Sequence, residues 1–382
     1  MIIDVTRLCA RLLDGKFPTG VDRVSLAYVA RFRSQADALV RHRGRWIGLS
    51  GPASKQVFDA LLGEHPRPKW VIRSTVAAAF LTRWALPRGS LLLNTGHSGL
   101  DDPDYADRVR RYGFRTVYFL HDLIPLTHPE YCREGEAVKH RQRLDTMIGT
   151  GAGLILNSEA TSADLAAYAD RAHLPLPPHI VATIGTVALP APLEIVPCES
   201  PYFVMLGTIE PRKNHWLVLH LWRQLAERCP SETPTLVVIG QRGWECEQVV
   251  DLLERCAALR NKVIEVGACD DRSLAGWLRH ARALLFPSFV EGYGMPLAEA
   301  LGHGVPVIAS DLPVFREIAG GIPDYLDPLD GPGWRRLVLD YASPTSAARA
   351  AQLKRLREFH PPRWSTHFTR VMSLLNGLTS GT

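Results

Sequence analysis

Glu291 and Glu299 stand with seven residues between them in the segment Phe289-Val290-Glu291-Gly292-Tyr293-Gly294-Met295-Pro296-Leu297-Ala298-Glu299. The apolar run at 283–286 reads as a strand, ended by Pro287 and Ser288. Gly292 and Gly294 let the backbone approach a ligand closely or take positive φ. Pro296 suits the first helical position, where its missing N–H costs nothing. A helix starting there turns free N–H groups and the positive end of its dipole toward the loop, a site suited to phosphate. With Glu299 in the first turn and Glu291 in the preceding loop, two carboxylates flank that site. They cannot hold phosphate, but they can accept hydrogen bonds from hydroxyls on either side of it. A ribose, a diphosphate and a sugar in line have this shape. The plain alternative is a strand–helix corner with two solvated acids.

A second loop upstream carries the positive charge. It follows the apolar run 202–207 and reads Thr208-Ile209-Glu210-Pro211-Arg212-Lys213-Asn214-His215. A helix follows, its apolar face marked by Leu217, Leu221 and Leu225. Arg212 offers a planar fork and Lys213 a point charge, both suited to phosphate; a solvated basic turn is the bland counterpart. Ligands of parallel α/β sheets sit outside the carboxyl ends of the strands, and both loops occupy that place.

Such loops need sheets to carry them. Strand-like and helix-like stretches alternate along the chain, the pattern of parallel sheets with crossover helices. In the first half the strands fall at 2–5, 91–93, 116–120, 154–156 and 180–182, and the helices near 21–33, 103–112, 134–148 and 159–168. A stretch with Pro175, Pro177, Pro178, Pro190, Pro192 and Pro197 follows, and its later part reads as a linker. The second run has strands at 202–206, 236–239, 263–266, 284–286 and 305–309, each with a helix after it. Helices at 345–359 and 364–375 follow, separated by Pro361-Pro362. The expected organisation is an α/β domain over 1–190, a linker over 191–200, a second α/β domain over 201–345, and helices over 346–382 packing back toward the first domain. The cleft between them would hold a donor on the second domain and an acceptor on the first.

Composition sets the remaining bounds. The 382 residues, 46% hydrophobic and 22% charged, suffice for two domains. The first residues, Met1 to Val5, read as a strand rather than a signal peptide, and the apolar run around 147–156 is too short to cross a bilayer. Seven cysteines without a C-x-x-C pair read as reduced cytoplasmic thiols, with no zinc spacing. The run Asp101-Asp102-Pro103-Asp104 lies in the acceptor half, so no metal and no cofactor is expected. Net charge is +5, yet residues 1–100 hold 15 Lys+Arg against 6 Asp+Glu. Arg31, Arg33, Arg41, Arg43 and Arg45 cluster there. This basic face suits an anionic lipid surface or a lipid-diphosphate acceptor, or simply solvent. Nucleic acid is disfavoured, because aromatic interleaving is limited to Phe32 and Trp46 and no binding motif is present.

With these residues in place, the chain resembles the retaining glycosyltransferases of family 4, which have the GT-B fold of two Rossmann-like doubly wound domains facing a cleft. The resemblance rests on the two-glutamate element with Gly-Tyr-Gly-Met-Pro-Leu, the Glu210-Pro211-Arg212-Lys213-Asn214 loop, Gly302 to Ser310, and Pro313-Val314-Phe315-Arg316-Glu317. In the first half, Asp4-Val5-Thr6, Thr19 to Val24, His121 to Leu126 and Leu156-Asn157-Ser158-Glu159 also fit. The closest likeness is to bacterial cell-surface polysaccharide enzymes, many of them mannosyl- or rhamnosyltransferases. It implies that Glu299 binds the ribose and Glu291 the transferred sugar. It further implies that Lys213 holds the diphosphate with Arg212 nearby, and that Gly292, Tyr293 and the amides of Gly294, Met295, Pro296 and Leu297 line the donor. Gly20 matches a loop that closes over the reaction centre, and His121 a residue that points at the transferred sugar. Many members carry an Arg where Thr208 stands here, so Arg212 either substitutes for it or stays outside.

The expected reaction is front-face transfer of mannose from GDP-mannose, independent of metal, to a glycan or lipid-linked saccharide in the cytoplasm or at the inner face of the membrane. The base would lie near Ala268, Cys269 and Asp270. A rhamnosyl- or glucosyltransferase using a dTDP-, GDP- or UDP-sugar, and a non-catalytic scaffold of the same fold, are the alternatives.

Overall fold

The computed structural model describes residues 1–382 apart from 83–85, 188–189, 192–197, 199–200, 268 and 381–382. Most of the expected linker 191–200, with Pro192 and Pro197, therefore lies outside the described residues, as does Ala268.

Two sheets organise the chain. The first contains β1 (Ile2–Asp4), β2 (Asp37–His42), β3 (Arg45–Gly48), β4 (Leu91–Asn94), β5 (Arg115–Leu120), β6 (Gly151–Leu156) and β7 (His179–Val181), in the order β3-β2-β1-β4-β5-β6-β7. Its pairs are parallel except the β2–β3 hairpin. The second contains β8 (Tyr202–Leu206), β9 (Thr235–Ile239), β10 (Val263–Val266), β11 (Leu284–Phe286), β12 (Val307–Ser310) and β13 (Asp324–Leu326), all parallel, in the order β10-β9-β8-β11-β12-β13. Counted from β8, that is the doubly wound order 3-2-1-4-5-6. Strands buried on both faces read as continuous apolar runs. Hence Phe203-Val204-Met205 and Leu236-Val237-Val238 are legible in the sequence, and all six residues are buried.

Each sheet is covered on both faces by an apolar cluster. The helix Trp364–Ser380 returns to the first domain and places Phe368, Val371 and Leu375 in its core. There His367 bonds the Tyr28 hydroxyl at 2.9 Å, and Phe368 meets Tyr28 edge-on with ring centroids 5.1 Å apart. Phe368→Ala is expected to destabilise the protein by about 3–5 kcal/mol, read as a lower urea midpoint; an unchanged midpoint would mean that the helix is only loosely docked.

Several expectations need correction. The arginine-rich segment around residues 37–48 forms the β2–β3 hairpin, turning at Arg43 and Gly44, both at positive φ. The unassigned stretch after it holds two helices, Gly51–Leu61 and Pro68–Thr82. The helix of the two-glutamate segment begins at Met295, so Pro296 is its second residue and Glu299 its fifth, beyond the first turn. No described helix is long and apolar enough to cross a membrane.

Candidate active site

The strand order of the second sheet reverses between β8 and β11, which are parallel neighbours. In open α/β sheets the ligand crevice lies at that reversal, outside the strand carboxyl ends. The basic loop leaves β8 there and the two-glutamate loop leaves β11, so fold topology alone brings residues nearly eighty apart into contact.

The contact is an ion cluster. Arg212 reaches Glu291 at 2.5 Å and Glu210 at 2.6 Å, and Lys213 bonds the other Glu291 oxygen. Ser288 Oγ donates to Glu291 at 2.8 Å. The Lys213 ammonium also sits over the Phe286 ring, 4.9 Å from its centroid. The Glu291 side chain is only 7% exposed. Burial pushes its pKa up, but Arg212 and Lys213 outweigh that and hold it at about 2. Burial lowers Lys213 while Glu291 opposes the fall. Burial raises Glu210, against the pull of Arg212 and Lys213. Arg212 thus turns toward Glu210 and Glu291 rather than to solvent. Two cations face two anions, so any anion bound here needs further positive charge.

The helix end supplies part of it. Gly294 caps the helix with φ +110°, and a Cβ there would lie 2.7 Å from the Phe315 ring. Pro296 has no N–H and Leu297 donates to the Gly294 carbonyl at 3.0 Å, which leaves the amides of Gly294 and Met295 as donors. Met295 also approaches the first domain: a Cβ on Gly20, the first residue of the helix Gly20–Phe32, would stand 3.2 Å from the Met295 sulfur.

Glu299, 3% exposed, is not part of the ion cluster. Its partner comes from the other domain: Arg23 donates to it at 2.7 Å and to Asp271 at 2.9 Å. Burial raises the Glu299 pKa and Arg23 opposes that rise. Sequence reasoning did not single out Arg23. The signal available was its place in the segment Thr19 to Val24, part of the family resemblance, but its partner lies 276 residues away.

Across the cleft, His121 follows β5 and is buried. Its Nε2–H donates to the Thr95 carbonyl at 2.8 Å, leaving Nδ1 as the acceptor nitrogen. Burial lowers its pKa to about 4, with the Thr95 bond opposing, so the ring is neutral at pH 7. His97 lies 4.9 Å away, centroid to centroid, on the loop after β4 at the reversal point of the first sheet. It holds φ +57°, an unusual conformation for a non-glycine residue, and donates to the Phe119 carbonyl at 2.7 Å.

The two walls touch. A Cβ on Gly292 would fall 2.6 Å from the His121 carbonyl oxygen. The Gly292 carbonyl accepts from Ser158 and Thr161 at 3.3 Å, and the buried Tyr293 hydroxyl donates to Ile184 O at 2.7 Å. Glu317 accepts from the first amides of the helix Glu159–Ala172, at 2.9 and 3.0 Å from Glu159 N, a favourable place for a carboxylate. Gly292, Glu291, Lys213 and His121 are therefore gathered at one closed seam, with Glu299 and Arg23 bridging it as a separate pair. Among the described residues no cluster of His, Cys, Asp or Glu has a metal-holding arrangement.

A family model for glycosyl transferases group 1 matches residues 195–321. The serotype-specific mannosyltransferase WbdA of Escherichia coli is 30% identical over 230 residues, covering 56% of this chain and 28% of that protein. O-antigen chain mannosyltransferase B of Escherichia coli is 34% identical over 129 residues, 34% of this chain and 33% of that protein. The matches thus span only about a quarter to a third of those relatives. Anabaena HepE in complex with UDP and glucose superposes with a TM-score of 0.69 at 16% identity, covering 98% of this chain and 99% of that one. At that identity the likeness speaks for the fold, which is GT-B: two Rossmann-like domains of parallel sheets facing one another.

Proposed function

We propose that this chain, whose residues 195–321 are a glycosyl transferases group 1 domain on a GT-B scaffold, transfers mannose from GDP-mannose to a saccharide or lipid-linked saccharide acceptor, with retention of configuration, in cell-surface polysaccharide synthesis. The observation that carries this reading is the Arg212–Lys213–Glu291 cluster at the reversal point of the second sheet, with Glu299 buried one helical turn beyond. The mannosyltransferases among the relatives support the choice of sugar.

In this reading Lys213, Arg212 and the amides of Gly294 and Met295 hold the diphosphate. Glu299 takes the ribose hydroxyls and Glu291 those of mannose. Gly20 closes over the donor; Gly292, Tyr293, Pro296 and Leu297 shape the wall around it. His121 presents Nδ1 to a sugar hydroxyl. The bond from the anomeric carbon to the diphosphate oxygen breaks while the acceptor oxygen bonds on the same face, and the acceptor proton passes to the departing diphosphate. The protein's part is positioning and stabilisation of the charge that grows on the leaving group. No metal takes part. The enzyme works in the cytoplasm, against the inner face of the membrane. The basic excess of residues 1–100 and the exposed Trp70 and Leu81 support that contact.

A second reading, transfer of glucose or rhamnose from a UDP- or dTDP-sugar, is favoured by one observation: the HepE structures hold UDP. Thermal unfolding with GDP, UDP or dTDP, all in EDTA, separates the two. GDP at a hundredfold excess over its Kd should add roughly 2.7 kcal/mol of stability. Stabilisation only by UDP or dTDP would move the assignment to the second reading. Stabilisation by none of the three would end the donor assignment, and a requirement for divalent metal would end metal independence.

A further inference from the structure

A cavity of about 700 Å³ opens at the far edge of the first sheet, beside the β2–β3 hairpin and away from the ion cluster. Arg45, Arg88, Arg108 and Arg111 line it, with Trp46 and Tyr112 on its wall. No carboxylate is among its lining residues. Arg108 is partly neutralised by Asp104 at 3.3 Å, whereas Arg45, Arg88 and Arg111 form no ion pair among the described residues. The side chains are arranged rather than splayed. Arg45 lies over the Phe80 ring, 4.6 Å from its centroid, Arg108 bonds the Gly44 carbonyl, and Arg88 bonds the Arg111 carbonyl at 3.1 Å. Behind them the Trp46 and Tyr112 rings are stacked, their planes 17° apart and centroids at 6.0 Å, and Tyr112 stacks on Phe114 at 5.1 Å.

A wall of mutually stacked aromatic rings beside unpaired guanidinium groups matches a saccharide that carries negative charge: apolar area for the sugar, forked donors for phosphate or carboxylate. A membrane surface is a poorer fit. The large apolar side chains that stand out from the protein, such as Trp70 and Leu81, do not line the cavity, whose rings are recessed.

Position gives the cavity a use. Gly44 and Arg45 lie at the carboxyl end of β2, the edge of the sheet that also carries His121 at the end of β5, whereas Arg88 and Arg111 precede the amino ends of β4 and β5, so the cavity extends from the cleft edge toward the opposite one. From β3 to β5 there are four strand steps, roughly 19 Å. We infer that this cavity is a second binding site, which holds an anionic part of the acceptor saccharide while the growing end lies in the cleft by His121. The use as an acceptor site rests on the glycosyltransferase reading; the binding itself does not.

The test is calorimetry on the full chain, with the cleft filled by whichever of GDP, UDP or dTDP stabilises it. Nucleotide binding is measured first, so a chain that fails to take nucleotide is distinguished from one that lacks the second site. The probes are trigalacturonate, inorganic pyrophosphate, neutral maltotriose and phosphatidylglycerol vesicles. One of the two anionic probes should bind with a sub-millimolar Kd, and maltotriose should not. Binding should weaken at least tenfold in an Arg45→Glu/Arg111→Glu variant and, as a check on folding, in Arg45→Gln/Arg111→Gln. Pyrophosphate binding would point to the diphosphate of a lipid-linked acceptor, trigalacturonate binding to acidic sugars within a glycan. Equal binding by wild type and variants, binding of neither probe, or binding of vesicles alone would overturn the site.

Discussion

Replacing Lys213 with alanine is expected to lower kcat by 10²–10³-fold, the usual cost of removing one preorganised donor from a developing anion. The ammonium is buried, anchored by Glu291 and by the Phe286 ring, so it needs little reorganisation when charge appears on the leaving diphosphate. The loss should fall mainly on kcat, because the interaction strengthens as the bond breaks. Lys213→Arg should rescue poorly, since the site is only 9% exposed and a larger planar head does not fit a point-charge position. The same substitution has a pH signature. Glu291 is held at about 2, below its ordinary value of 4.5. The stability this contributes is complete above pH 4.5 and is lost as pH falls from there toward 2. Without Lys213 the folded-state pKa rises and the window narrows, so the variant should begin acid unfolding at higher pH. Rates near wild type would remove Lys213 from the reaction.

Glu299 and Arg23 should give opposite results in nucleotide binding. Glu299→Ala removes the acceptor for the ribose hydroxyls and should weaken nucleoside diphosphate binding 10–100-fold, the range expected when hydrogen bonds to a buried charged group are lost. Arg23 bonds one oxygen of that same carboxylate from across the cleft. In the proposed donor pose the ribose competes with Arg23 for Glu299, so Arg23→Ala should tighten binding severalfold. Calorimetric titration of both variants decides the matter. If Arg23→Ala weakens binding as well, Arg23 is a contact to the donor and not its competitor.

The second domain was more legible than the first, for a physical reason. Strands β8, β9 and β11 are covered on both faces, so selection for burial leaves unbroken apolar runs, and the glycines and proline after β11 announce the turn. Strands β2 and β3 sit at an edge, where Arg41, Arg43 and Arg45 interrupt the apolar pattern and read as a charge cluster. Strand β13, Asp324-Tyr325-Leu326, is only half-buried and begins with a carboxylate, so it lacks the apolar run that marks the equally short β11. Contacts within one loop, such as Ser288 with Glu291, follow from local geometry. The Arg23–Glu299 bridge, the His97–His121 pair and the arginine cavity depend on how distant segments are brought together, which spacing along the chain does not encode.

The chain passes between domains twice, and the two passages are joined. Thr186 N donates to Pro362 O at 2.8 Å, and a Cβ on Gly185 would strike Trp364. One covalent tether would leave the halves joined at a single point; two fastened side by side restrict how they can move against each other. Cutting the chain near Pro362 is expected to loosen their alignment even with every residue of the cleft intact.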